Sequence, residues 1–169
     1  SVILTDKTGT LTQARMEVAA LVPAGPDGAA SRALLAAALL NTDTVIENPE
    51  DPPESWRIFG RPLEAALVRD AARSGVLLPE IARQTKILDR LPFDSKRKFS
   101  VSVSASGGRE RTTILGAPEA VLAMSAPAPA ERRRWEVEIE RRAQAGERIL
   151  GVAARDGDGR AAEAVGAEN

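Results

Sequence analysis

The chain has 169 residues, a formal net charge of −1, and neither cysteine nor histidine. That length holds one ordinary domain, or one domain with part of another. The missing residue types exclude thiol nucleophiles, disulfides, zinc sites of the usual ligand sets and every mechanism with a histidine base. Carboxylate, lysine, hydroxyl and backbone chemistry remain. Apolar residues make up 43% of the chain, enough for a core. The charge balance gives no general pull toward nucleic acid or an anionic membrane. The longest uncharged apolar run, residues 33–41, falls far short of the ~18 that a membrane helix needs. Asp6 and Lys7 interrupt the early apolar stretch, so no secretory signal is expected, and the chain reads as a soluble piece.

In chain order, residues 1–5 (SVILT) form a β-branched apolar run read as a buried strand, and residues 6–12 (DKTGTLT) carry turn chemistry. Residues 16–22 read as a second strand or strand-like linker. Residues 29–40 are an Ala/Leu helix, with Asp27 or Ser31 as its cap. Residues 41–54 hold five acids, three prolines and no base, and are expected to be a solvated loop. Residues 62–74 form a second helix, opened by Pro62 and followed by Gly75.

Residues 86–92 read as a strand. Residues 97–105 (RKFSVSVSA) alternate apolar and polar side chains, the pattern of a half-buried strand, and a turn at 106–108 returns the chain to a partner at 112–115. A short helix at 118–124 follows. A charged helix at 130–145 places Trp135, Ile139 and Ala143 on one face, and a last strand covers 149–154. The tail after Asp156 is rich in Gly, Ala and Glu and is expected to fray. The fold class is therefore α+β (mixed α/β), an antiparallel sheet flanked by helices. The first strand ends at Asp6, where doubly wound sheets place reactive groups. Residues 1–14 thus read as the stump of another domain, 15–155 as the main domain and 156–169 as a tail or linker.

The sharpest chemical signal is Asp6-Lys7-Thr8-Gly9-Thr10-Leu11-Thr12. A carboxylate at a strand end can attack a γ-phosphorus in line when a cation neutralises the developing charge, and a glycine lets backbone N–H groups approach phosphate. All seven positions resemble the phosphorylation motif of P-type ATPases, pumps that store ATP energy as an aspartyl phosphate. The resemblance implies that Asp6 is the phosphorylated nucleophile, Lys7 a neighbouring charge, and Asp6 and Thr8 ligands of Mg²⁺, the latter through its backbone carbonyl. Phosphatases of the wider haloacid-dehalogenase-like superfamily carry an acid two residues after the nucleophile. Thr8 stands there and cannot serve as that acid, which implies a stored intermediate. The family's TGD-type segment and GDGxND loop are not in this sequence, and residues 156–159 (DGDG) read as a turn.

Four later segments resemble the nucleotide-binding domain of the same pumps, in the same order. Residues 60–67 (GRPLEAAL) are similar to GDPTEAAL, which implies Glu64 beside the adenine amino group; a carboxylate three residues into a helix also suits the helix dipole. Residues 92–98 (PFDSKRK) are similar to PFxSxRK, which implies Phe93 stacking on adenine and Lys98 reaching the phosphates. Base stacking is worth about 1–3 kcal/mol, so one aromatic ring can decide binding. Residues 115–119 (LGAPE) are similar to KGAPE, with Leu115 in place of the usual lysine and Gly116 retained, a departure that fits a bacterial calcium-type branch. Residues 146–150 (GERIL) are similar to GLRVLA, which implies that Arg148 contacts phosphate.

The resemblance spans residues 3–154 and implies the nucleotide-binding domain of a bacterial membrane pump, on the cytoplasmic side, using ATP and Mg²⁺. The implied partners are adenine nucleotide and the remaining phosphorylation, actuator and membrane domains. The isolated piece is expected to be monomeric, to bind ATP weakly and not to turn it over. No P-loop is present, and the Arg132–Arg134 run is balanced by Glu131, Glu136, Glu138 and Glu140, so no nucleic-acid partner is expected. A domain that has lost ATP binding and serves as a scaffold is the other reading. Nothing in the sequence names the transported ion.

Overall fold

The computed structural model describes residues 16–25 and 28–157. Helix α1 (Gly28–Leu39) is followed by a two-strand ribbon, β1 (Val45–Ile46) with β2 (Ile58–Phe59), and then by α2 (Pro62–Arg73) and α3 (Leu78–Gln84). Strands β3 (Lys86–Asp94), β4 (Phe99–Ser106) and β5 (Arg109–Gly116) lead to α4 (Pro118–Met124), α5 (Pro129–Gln144) and β6 (Gly151–Asp156). The larger sheet has the order β3-β4-β5-β6 with every pair antiparallel, so the expected α+β class holds. The expected strand at 1–5 and the fraying tail lie outside the described residues, as does Asp27. Ser31 is the fourth residue of α1 and so is not its cap. Residues 16–22 have no regular structure, although Leu21 packs against the helical core.

Two apolar clusters hold the molecule. Leu35 and Leu39 of α1 meet Val68 and Ala71 of α2, with Trp56 and Val76 closing the group. The second joins Phe99, Val101 and Ile114 of the sheet to Val121 of α4. Proline in the first turn of α2, α3, α4 and α5 fits each start, because the first helical N–H groups have no partner in the helix. Helix α3 was not foreseen; its signal is the same, Pro79 and Glu80 at the start of a seven-residue segment.

Three expectations need correction. Residues 41–54 are not a solvated loop throughout, since Asn41 and Thr42 are buried and Val45–Ile46 pair with Ile58–Phe59. The acidic stretch closes on itself through Asn48. Its amide donates to Asp51 Oδ2 (2.8 Å) and to the Ser55 carbonyl (2.9 Å), while its Oδ1 accepts the Arg57 N–H (2.7 Å). Strand β4 is not half-buried either: Val101 and Val103 are 1% exposed, and Ser102 is 0% exposed on the opposite face. The alternation marks two different covers rather than core and water. Val101 packs in one cluster with Val121 of α4, whereas Ser102 Oγ donates to the Leu40 carbonyl at the end of α1 (2.6 Å) and Ser100 Oγ to the Leu115 carbonyl (3.3 Å). In α5, Trp135 and Ile139 are half-buried but Ala143 is exposed. That helix leans on its own ion pairs, with Glu138 held by Arg141 and Arg142.

Candidate functional site

One row of cross-strand partners, Asp94, Phe99, Gly116 and Gly151, crosses all four strands of the large sheet at one end. Most of the sequence candidates sit beside this row. Phe93 precedes Asp94, Lys98 precedes Phe99, Leu115 precedes Gly116, and Arg148 lies three residues before Gly151. Antiparallel register therefore brings together four segments separated by up to 55 residues of chain.

The turn between β3 and β4 is built by Asp94. Its Oδ1 accepts the N–H groups of Lys96 (2.8 Å) and Arg97 (3.1 Å), and its carbonyl accepts the Lys98 N–H (2.7 Å). The Arg97 and Lys96 amides hold its carboxyl below the usual carboxylate range. Lys98 takes φ +65°, a left-handed conformation rare for a residue with a side chain. Its carbonyl accepts the Ala117 N–H (2.8 Å), and its Nζ lies 3.4 Å from Glu119 Oε1, with more than half of the side chain exposed. Gly116 makes this approach possible. A Cβ there would overlap the Lys98 carbonyl oxygen and lie 2.5 Å from Phe99 Cβ. Leu115 is buried, and Arg148 is exposed in the loop before β6.

Phe93 is 43% exposed, an unusual position for a phenylalanine at a strand end. Arg61, just before α2, places its guanidinium carbon 5.2 Å from the centroid of that ring. The same guanidinium pairs with Glu64 Oε1 at 2.5 Å. Glu64 is 4% exposed at the third position of α2, and its Oε2 accepts the Asp43 N–H (3.3 Å). Asp43 in turn pairs with Arg90 of β3 (2.9 Å) and lies 4.0 Å from Arg61. Arg90 also donates to the Leu40 carbonyl (3.1 Å), tying the C-terminal end of α1 to the sheet. Glu64 and Phe93, 29 positions apart, are thus joined through Arg61.

Arg61, Asp43 and Arg90 were not among the sequence candidates. The signal for Arg61 was present: the pattern GDPTEAAL has an acid where this chain has Arg61. Asp43 sat unremarked within an acidic stretch, and nothing local sets Arg90 apart from the other arginines. Asp6, Lys7 and Thr8 lie outside the described residues. Among the described residues, no cluster of three or more carboxylates could hold a metal ion, and no helix is long and apolar enough to cross a membrane.

The family model for the P-type ATPase cytoplasmic domain N matches residues 30–168. The chain is 29% identical over 124 residues to calcium-transporting ATPase 1 of Lactococcus lactis, covering 72% of this chain and 14% of that protein. It is 26% identical over 152 residues to the cation-transporting ATPase pma1 of Synechocystis, covering 72% of this chain and 16% of the relative. With the calcium-transporting ATPase of Bacillus subtilis the identity is 26% over 148 residues, 74% of this chain and 17% of the relative. The chain thus spans about a sixth of the length of these relatives.

Proposed function

Because the chain belongs to the P-type ATPases, matching their cytoplasmic domain N over most of its length, we propose that it is the nucleotide-binding part of a cation-transporting pump. In this reading the adenine of ATP stacks on Phe93, with Glu64 on the side of the base edge. Lys98 and Arg148 face the phosphates, and Leu115 and Gly116 lie beside the base. The observation that carries the proposal is the exposed Phe93 ring, linked through Arg61 to a buried carboxylate and set one turn from an exposed lysine in a left-handed conformation. A phenylalanine left in water costs apolar burial, and a flat ligand recovers it. A lysine one turn away supplies the charge that a triphosphate needs.

The parent protein is then a pump in the bacterial cell membrane with this domain on the cytoplasmic side, and residues 1–14 are the stump of its phosphorylation domain. Asp6 is the group that would take the γ-phosphoryl from ATP as ADP leaves, Lys7 a neighbouring charge, and Asp6 and Thr8 the residues that would hold Mg²⁺, which would neutralise the developing charge. A calcium-type branch is proposed on Leu115 and on the two relatives named as calcium-transporting. The isolated chain is expected to act as a monomer, to bind ATP at around millimolar, about −4 kcal/mol, and not to turn it over.

An amide-resolved NMR titration with ATP tests this on the wild type and on Phe93→Ala. The expected result is a set of shifts at Glu64, Phe93, Lys98, Gly116 and Arg148 that the substitution abolishes. A flat wild-type titration overturns the reading and leaves the scaffold alternative, for which the buried apolar Leu115 is the supporting observation.

A further inference from the structure

Helix α5 ends in a glycine cap in which an ion pair takes the place of the usual apolar contact. Gly146 stands at φ +79°, its N–H donates to the Ala143 carbonyl (2.9 Å), and the Glu147 N–H donates to the Arg142 carbonyl (3.1 Å). In caps of this pattern the side chains at the Arg142 and Glu147 positions commonly touch through apolar groups. Here Arg142 Nη1 donates to Glu147 Oε2 and its Nε to Glu138 Oε1, both at 2.7 Å. The Arg142 side chain is 17% exposed, so its guanidinium is largely covered and committed to two carboxylates.

Arg148 follows Glu147 directly and is placed differently. It is exposed, and among the described residues it has no ion-pair partner. The cap holds its backbone on one side, and the register of Gly151 opposite Gly116 holds it on the other. A carboxylate beside an arginine that takes phosphate is a rival ligand, since both offer oxygen pairs to one planar fork. Adjacent side chains in the short connection 145–150 can meet unless one of them is engaged elsewhere, and Glu147 is engaged with Arg142. The pattern GLRVLA has leucine at the Glu147 position, where no carboxylate needs restraint.

We infer that Arg142 is a positioning residue for phosphate binding: by holding the Glu147 carboxylate at the helix end, it keeps the neighbouring Arg148 guanidinium open to a nucleotide phosphate. This rests on the reading of Arg148 as a phosphate contact given above. Glu138 supports the arrangement, because it accepts from both Arg141 and Arg142 and fixes the Arg142 guanidinium from the helix side.

The test is the ratio of ATP to AMP affinity, read by NMR titration of the full chain. The two nucleotides share base and ribose, so the ratio isolates contacts to the outer phosphates. Arg148→Gln is the reference and should lower it about five-fold; Arg142→Gln releases Glu147 toward Arg148 and should lower it about three-fold, both within the range of an exposed ion pair. Arg142→Gln combined with Glu147→Gln removes the rival together with its restraint, and the ratio should return to the wild-type value. Arg142→Lys, which keeps a cation for Glu147, should stay near that value too. In the wild type the Arg148 Nε–H signal should move with ATP and the Arg142 signal should not. Equal movement of the two overturns the inference without any variant. A double variant as low as Arg142→Gln also overturns it, since the arginine then acts only as a helix cap. So does an Arg142→Gln ratio that stays at the wild-type value while Arg148→Gln lowers it. Arg148→Gln without effect removes the phosphate contact and this inference together, but leaves stacking on Phe93 in place. Absence of shifts with both nucleotides overturns the nucleotide-binding reading itself.

Discussion

The two faces of the large sheet are held in different ways. Under α4, Val101, Ile114 and Val121 make an apolar contact whose strength comes from area removed from water. On the other face Ser102 and Thr113, both 0% exposed, meet the end of α1 through hydrogen bonds, Asn41 donating to Thr113 Oγ1 (2.8 Å) and Ser102 to the Leu40 carbonyl. Area is indifferent to small shifts, whereas a hydrogen bond fixes direction within a few tenths of an ångström. The polar face is also the one connected to the candidate site. The Leu40 carbonyl accepts from both Ser102 and Arg90, and Arg90 leads through Asp43 to Glu64 and Arg61. One face supplies stability and the other supplies position.

Substitutions that separate these roles order themselves by size. Val101→Ala opens a cavity in the apolar face and is expected to cost about 2–3 kcal/mol in urea denaturation, while leaving the Asp43 and Arg61 resonances near their wild-type positions. Ser102→Ala should cost only about 1 kcal/mol, because Arg90 still satisfies the Leu40 carbonyl, yet it should move the Asp43 and Arg90 signals. If Ser102→Ala proves the more destabilising of the two, the polar seam and not the valine face carries the stability.

The smallest effect lies away from both faces, on α5. Arg141 and then Arg142 hold the Glu138 carboxyl down from 4.5 to about 2. A folded-state pKa below the unfolded one means that the contribution is complete above about pH 4.5 and is lost as pH falls toward 2. Following helix content by circular dichroism over that range should show a slight loss that Glu138→Gln removes. An unchanged profile would mean that these ion pairs add nothing to the helix.

Much of the architecture was legible locally. Helices α1, α2, α4 and α5 and strands β3 to β5 follow from periodicity, prolines in first turns and a Gly-Gly hairpin, and the ends lie within a few residues of expectation. The last strand begins two residues later than expected, at Gly151, because its pairing starts opposite Gly116. Buried serines misled the reading of β4, since period-two alternation records a change of neighbour and not which neighbour is water. Residues 41–54 misled it in the same way, composition being blind to the Asn48 hydrogen bonds that fold an acidic stretch.

By itself, the sequence determined the family and the residue types available for chemistry: DKTGTLT and the four nucleotide-type segments are local strings whose identity needs no fold to be seen. Tertiary structure alone decided what stands next to what. Register across β3, β4, β5 and β6 gathers Phe93, Lys98, Leu115 and Gly116 at one end of the sheet. The approach of α2 to β3 sets Arg61 between Glu64 and the Phe93 ring. Contacts between residues distant in the chain depend on how the elements pack, and no local propensity encodes them. Which charge stands beside the Phe93 ring is a property of the packing.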